Sequence, residues 1–130
     1  MPAATRDRLL RASWDCIRRR GLRGATSRAI TAAADTNLGA ITYHFGSKDA
    51  LVAEAVGEAI ERLVGPAVAA LKDDALDPVS RVMEAIRRLE GAFERSARDA
   101  PAYLEVVVQS GRERRRRRNY QASGGCNAWG

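Results

Sequence analysis

The segment of residues 26–48 is patterned as two short helices separated by one tight turn, and a third helix begins where the segment ends. Thr26 is suited to capping the first helix, because its hydroxyl can accept a hydrogen bond from an N–H of the opening turn. Asn37 is suited to capping the second helix, and Ser47 the third. Asp35 and Thr36 interrupt the apolar pattern between the two short helices. The segment therefore predicts a helix-turn-helix.

Each of the two short helices has an apolar side, and the outward face of the second helix carries compact, uncharged groups. The residues that share one side, at helical spacing, are Ile30, Ala33 and Ala34 on the first helix and Leu38, Ile41 and Phe45 on the second. The outward residues of the second helix are Gly39, Ala40, Thr42 and Tyr43. Such a face can enter the major groove of DNA, so the first hypothesis for this segment is DNA binding.

The pattern over about residues 5–56 resembles the N-terminal DNA-binding domain of the TetR family of bacterial transcriptional repressors. The residues that carry the resemblance are Gly21, Thr26, Ser27, Ile30, Gly39, Ile41, Tyr43, His44, Phe45, Ser47, Lys48 and Leu51. Three positions depart from the family pattern. Asp35 stands where glycine is usual in the turn, Thr36 where an apolar residue is usual, and Thr42 where the first of two aromatic residues is common.

The resemblance implies that the second short helix lies in the major groove with its N-terminal residues at base edges. The candidate base readers are Leu38, Gly39, Ala40 and Thr42, and Arg28 is the long donor that can reach a guanine or a phosphate. The candidate phosphate contacts are Thr26, Ser27, Tyr43, His44 and Lys48, and the helix cap Asn37 completes the DNA-binding set. The alternatives are a solvated surface arginine for Arg28 and a core or capping histidine for His44. Core packing is the better interpretation for Trp14, Ile30, Ile41, Phe45 and Leu51.

The rest of the chain predicts an all-α fold, because its apolar residues are mostly aliphatic at helical spacing and only 5% of the 130 residues are aromatic. We expect a three-helix DNA-binding domain over residues 1–50, part of a helical ligand-binding and dimerisation domain over residues 51–111, and a basic, disordered tail over residues 112–130. The first helix should cover residues 6–20 and end at Gly21 in a left-handed conformation. Pro66 should kink or divide the fourth helix, and Asp77 should cap a new one that has Pro78 in its first turn. A further start is expected at Asp99.

The helix expected after Asp77 carries an apolar stripe at helical spacing, made of Val79, Val82, Met83, Ile86, Leu89 and Phe93. Core packing is the prediction for each of these residues. An effector pocket and a dimer surface are the alternatives for the stripe as a whole.

Charge is unevenly distributed along the chain, whose formal net charge is +6. Residues 1–50 carry nine basic and four acidic side chains, residues 51–111 seven and eleven, and residues 112–130 six and one. A basic N-terminal module before an acidic helical region is typical of a DNA reader with a separate body that does not bind DNA.

The apolar period is lost after Gly111, where a run of arginines is followed by a glycine-rich end. We therefore expect disorder over this tail and a shortened C-terminal domain, with the reading frame disrupted near Gly111. Sequencing of the source DNA tests the disrupted frame. An alternative function follows from the same residues: a truncated, non-sensing basic protein that binds nucleic acid or an anionic surface through its arginine-rich tail.

The resemblance implies a sequence-specific regulator, most simply a repressor that binds a palindromic operator in double-stranded DNA and is released by a small-molecule effector. It also implies a homodimer, provided that the C-terminal helices suffice. An enzyme is disfavoured, since there is one histidine, no glycine-rich phosphate loop and no metal-ligand spacing, and no cofactor is expected. Cys16 and Cys126 are expected to be free thiols. With neither a signal peptide nor a membrane-spanning apolar run, a cytoplasmic protein is expected.

Overall fold

The computed structural model describes residues 4–124, and side chains up to residue 122. Over this range the chain forms six α-helices and one short 3₁₀ turn, with no strand. The helices are α1 (Thr5–Gly24), α2 (Ser27–Ala33), α3 (Leu38–Phe45), α4 (Lys48–Leu71), α5 (Pro78–Arg95) and α6 (Ala100–Gly124), and the 3₁₀ turn Ala97–Asp99 lies between the last two. The predicted all-α fold is confirmed. None of these helices is both long enough and apolar enough to cross a bilayer.

The predicted caps begin their helices. Thr26 accepts a hydrogen bond from the backbone N–H of Ala29 at 3.2 Å. Asn37 and Ser47 accept from the N–H three residues further on, each at 3.1 Å. Asp77 caps α5, with Pro78 in the first turn, and a hydrogen bond from the Ser80 hydroxyl is the main cause that lowers the pKa of its carboxyl. Local side-chain chemistry therefore sets where these four helices start.

Gly21 interrupts α1, as predicted, although the helix resumes for three residues up to Gly24. The backbone at Gly21 has φ 75° and ψ 174°, a conformation that is accessible essentially to glycine alone. The interruption leaves the N–H of Leu22 without a helical partner, and Glu105 of α6 accepts it at 3.0 Å. The break in α1 is thus the point at which α6 is hydrogen-bonded to the N-terminal region.

Helix α4 continues through Pro66, so of the two predicted effects, a kink or a division of the helix, division was wrong. A proline removes one helical hydrogen bond and crowds the preceding turn. Leu63, Ala67 and Ala70 are nevertheless buried on both sides of it, and Ala67 and Ala70 pack against Ala85 of α5. This packing holds the helix together where the local sequence disfavours it.

The apolar stripe on α5 is exposed, which corrects the prediction of core packing. Val79 is 72% exposed and Phe93 55%, whereas Ala85 and Ala92 are the buried residues of this helix. Small alanines allow α5 to approach α4 closely, and so the larger apolar side chains are turned away from that contact. Leu89 is the only stripe residue that is partly buried against the described core.

Helix α6 extends through the arginine run as far as Gly124, whereas the composition predicted disorder from residue 112. Arginine and glutamine have good helix propensity, and Gly111 costs about 1 kcal/mol relative to alanine in a helix interior. The boundary predicted at residue 111 therefore falls inside a helix. Cys126 lies outside the described residues.

Candidate nucleic-acid interface

The turn between α2 and α3 is closed by backbone hydrogen bonds. The N–H of Thr36 donates to the carbonyl of Thr31 at 3.0 Å, and that of Asp35 donates to the carbonyl of Ala32 at 3.3 Å. Asp35 is the only non-glycine residue with positive φ, 52°, in the described part of the chain. Aspartate tolerates this left-handed conformation better than most residues. The turn therefore has the geometry that a helix-turn-helix requires.

The inner faces of α2 and α3 are held by a core shared with α1 and α4. Ile30 and Leu51 are fully buried, and Ile41 is 4% exposed. Phe45 is partly buried against the same core. The predicted core roles of these residues are confirmed, as is that of Trp14, which is 7% exposed and packs on Tyr103 of α6 with ring centroids 5.1 Å apart. Because α3 is anchored from behind, its outer face is fixed in orientation.

The outer face of α3 is open to solvent. Leu38 is 50% exposed, Gly39 and Thr42 are exposed, and Ala40 is partly buried. A side chain at Gly39 would place its Cβ 3.1 Å from the Asn37 oxygen, so a larger residue there would crowd the helix cap. The four candidate base readers thus form a low surface without charge at the start of α3.

The candidate phosphate contacts surround this surface on three helix ends. Tyr43 is 85% exposed near the end of α3, and its ring meets that of the partly buried His44 edge to face with centroids 4.9 Å apart. Lys48 is partly buried in the first turn of α4. Thr26, Ser27 and Arg28 lie together at the start of α2, where Thr26 and Arg28 are exposed. The Thr26 hydroxyl and the Asn37 amide oxygen are engaged as caps.

The chain shows no sign of a metal centre in the region that the structure describes, where no three potential ligands come together. Cys16 is a buried free thiol, and burial raises the pKa of that thiol. A raised pKa leaves little thiolate at neutral pH, so the residue behaves as part of the core of α1.

The family model described as bacterial regulatory proteins of the tetR family matches residues 9–55. These residues are a tetR-family DNA-binding domain. The match covers most of α1, all of α2 and α3, and the first two turns of α4, and it agrees with the resemblance over about residues 5–56. No curated protein and no solved structure matches the chain. A domain of this family is the part by which bacterial regulatory proteins of the tetR family bind DNA, and here it spans residues 9–55.

One residue that braces the tetR domain, Arg6, lies just before the matched segment and was missed by sequence reasoning. Arg6 pairs with Glu54 of α4, and its guanidinium lies over the ring of Phe45, 5.2 Å from the centroid. Arg6 thereby connects α1 to the C-terminal end of α3 and to α4 near the end of the matched segment. Residues that are 48 positions apart carry no local signal of pairing, and only the packing of α1 beside α4 reveals it.

Proposed function

We propose that this protein is a repressor that occupies a palindromic operator and is released by a small-molecule effector. One observation supports the DNA-reading role most strongly: α3 is anchored by the buried Ile41, while Gly39, Thr42 and Tyr43 on its other side are exposed. A short helix held from behind with a low outer surface suits insertion into a major groove.

In the proposed complex the start of α3 reads bases, and the surrounding helix ends contact phosphates. The base readers are Leu38, Gly39, Ala40, Thr42 and Arg28. The phosphate contacts are Thr26, Ser27, Tyr43, His44 and Lys48, and Asn37 holds the start of α3. Lys48 lies in the first turn of α4, where its charge adds to the helix dipole in attracting an anion.

We propose a homodimer, because one reading helix contacts too few base pairs for useful specificity. The surface we assign to the second copy is the exposed α5 stripe, because a contiguous exposed apolar patch is typical of interaction sites. Val82 and Ile86 lie near its centre and are 49% and 48% exposed. The effector is assigned to the helical body of residues 51–111, where binding would shift the spacing of the two reading heads.

Selection of bound fragments from a random DNA pool tests the reading role. The expected product is a palindrome with half-sites about one helical turn or more apart. On the selected duplex, Lys48→Ala should lower the slope of log affinity against log salt by about one per protomer, or about two for the dimer. Lys72→Ala is the matched control, since Lys72 lies just beyond the other end of α4, about 36 Å away at 1.5 Å per residue. Equal slopes for the two variants, or a pool without a consensus, would contradict the proposal.

The dimer surface is tested by the mass of the protein in solution. Val82→Glu combined with Ile86→Glu should convert a dimer into a monomer, because it places two charges in the apolar contact. Ala69→Glu, at an exposed position of α4, should leave the dimer intact. A monomeric wild-type protein, or a dimer unaffected by the double substitution, would exclude this surface.

A further inference from the structure

We propose that the arginine-bearing second half of α6, residues 112–122, is a second phosphate-binding surface that contacts the DNA backbone beside the start of α4. This inference rests on the proposed function, since it adds a contact to the same DNA complex. It gives a role to the arginine run, which the helix-turn-helix does not use.

The course of α6 brings the arginines to the DNA-reading end of the molecule. Early in α6, the Tyr103 hydroxyl donates to the carbonyl of Ala59 at 3.2 Å. Later in α6, Glu113 and Arg117 line one groove together with Asp49 of the first turn of α4. Residue numbers thus rise along α6 as they fall along α4. The two helices run in opposite directions, and α6 reaches the level at which α4 begins.

The position of α4 makes this end relevant to DNA. Lys48, in the first turn of α4, belongs to the proposed phosphate set and is adjacent to Asp49 in the chain. Arg117 therefore shares a groove with the immediate neighbour of a proposed phosphate contact. The residues that follow Arg117 continue α6 by about 1.5 Å each past that level.

The arginines themselves are accessible and dense in charge. The six residues are Arg112, Arg114, Arg115, Arg116, Arg117 and Arg118, and all are exposed. Glu113 is the only acidic residue among residues 112–122. Within the part of the chain that the structure describes, none of the ion pairs involves these arginines. Their guanidinium groups remain available for the bidentate contacts that arginine makes with phosphate.

Helical geometry places arginines on both flanks of α6. Arg117 lies on the side of α6 that faces the groove with α4. Successive side chains of a helix are turned by about 100°. Arg114 and Arg118 then fall on one flank and Arg116 on the other. A DNA backbone passing the start of α4 on either side would meet at least one of these flanks.

The position of the arginines beside the proposed phosphate set argues for a DNA contact over a membrane contact. Residues 51–111 carry seven basic and eleven acidic side chains, which repel any polyanion at close range. The arginines of α6 replace this net negative charge by positive charge only at the end of the body where α4 begins, next to the helix-turn-helix. Continuity with the proposed phosphate set favours DNA, and binding to an anionic vesicle is kept as an outcome of the test.

The test uses the full chain and three variants on the selected operator with long flanks. Arg114→Gln, Arg116→Gln and Arg118→Gln together should lower the salt slope by about one to three per protomer, at about 0.9 per lost phosphate contact, without changing the preferred sequence. Arg87→Gln, Arg95→Gln and Arg98→Gln form the control, with the same change in charge on exposed residues of α5 and the 3₁₀ turn. Arg114→Lys, Arg116→Lys and Arg118→Lys together should leave the salt slope at the wild-type value, because lysine keeps the positive charge.

The outcomes separate this inference from the proposed function. Salt slopes that are equal for the two glutamine variants, with operator selection intact, would overturn the arginine contact alone. A selection without a consensus would instead overturn the proposed function. Loss of binding to phosphatidylserine vesicles in the first variant, with an unchanged slope on DNA, would assign the arginines to a membrane and also overturn the inference.

Discussion

Asp35 carries the backbone conformation on which the helix-turn-helix depends. Its φ of 52° is one that glycine adopts without cost, whereas an L-residue in the left-handed region pays roughly 1 kcal/mol. The sequence comparison with the family already marked this position, because glycine is usual there. Asp35 therefore adopts a left-handed backbone conformation of the kind that glycine accommodates most readily.

Asp35→Gly should stabilise the protein by up to about 1 kcal/mol, because relief of the left-handed strain exceeds the added entropy of the unfolded chain. Thermal unfolding followed by circular dichroism measures the shift. Asp35→Ala is the control and should not be stabilising, since alanine has the same restriction without aspartate's local hydrogen bonding. A glycine variant less stable than the wild type would show that the aspartate side chain supports the turn.

Two glycines should respond to alanine in opposite directions. Gly46 ends α3 at φ 83°, and no atom lies within 4 Å of an added Cβ, so backbone strain alone should make Gly46→Ala destabilising by about 1 kcal/mol. Gly57 lies within α4 and has equally open surroundings, so Gly57→Ala should be stabilising by about 1 kcal/mol. Chemical denaturation gives both values. Changes of the same sign would contradict the assigned backbone conformations.

Residue-scale features were predictable where a side chain acts on its own helix. Thr26, Asn37 and Ser47 were identified as caps because a cap bonds to the N–H three residues further on. Arg6 and Glu105 were missed, since their partners are 48 and 83 positions away in the sequence. Which residues contact DNA stays a prediction.

At the scale of elements, α6 is joined to the tetR domain by three kinds of contact. Glu105 accepts the N–H of Leu22 that the break at Gly21 releases, Asp99 before α6 pairs with Arg18 at 3.2 Å, and Tyr103 packs on Trp14. The Tyr103 hydroxyl also reaches α4. These contacts couple the start of α6 to both helices that support the reading head.

Tyr103→Phe should cost about 1 kcal/mol at neutral pH, because it removes the hydrogen bond to the carbonyl of Ala59 and keeps the ring. Burial, reinforced by the Asp99 carboxylate, raises the pKa of Tyr103 above the ordinary 10.0. The neutral hydroxyl is thus favoured in the folded protein, and its contribution is fully present below pH 10 and is lost as the pH rises through the folded pKa. Denaturation at pH 7 and above pH 10 measures the difference. A cost that grows with pH would contradict this account.

Helix starts were predictable from local signals, but the partner of each helix face was not. The α5 stripe was recognised as amphipathic, yet the alanines on the other side were the residues that found a partner, because their small size permits close packing on α4. Continuation of α4 through Pro66 and of α6 through Gly111 likewise depends on packing and summed propensity. Neither is visible in a single residue type.

At the scale of the molecule, charge divides the chain into a basic N-terminal segment, which we propose as the reading head, and an acidic body. The head of residues 1–50 has nine basic side chains against four acidic ones, and the body that follows is net acidic. The arginine helix restores positive charge beside the head. This distribution supports one DNA-facing end. The positive charge at that end comes from two separate segments, the head and the arginine helix.

The affinity ratio between the selected operator and a scrambled duplex of equal length tests the central claim most directly. A protein that reads bases through the outer face of α3 should bind the operator at least about 10³-fold more tightly at fixed salt. Thr42→Glu places a negative charge on that exposed face, and it should abolish the preference without lowering the unfolding temperature. A ratio near one for the wild type, or an undiminished ratio for Thr42→Glu, would contradict DNA reading by α3.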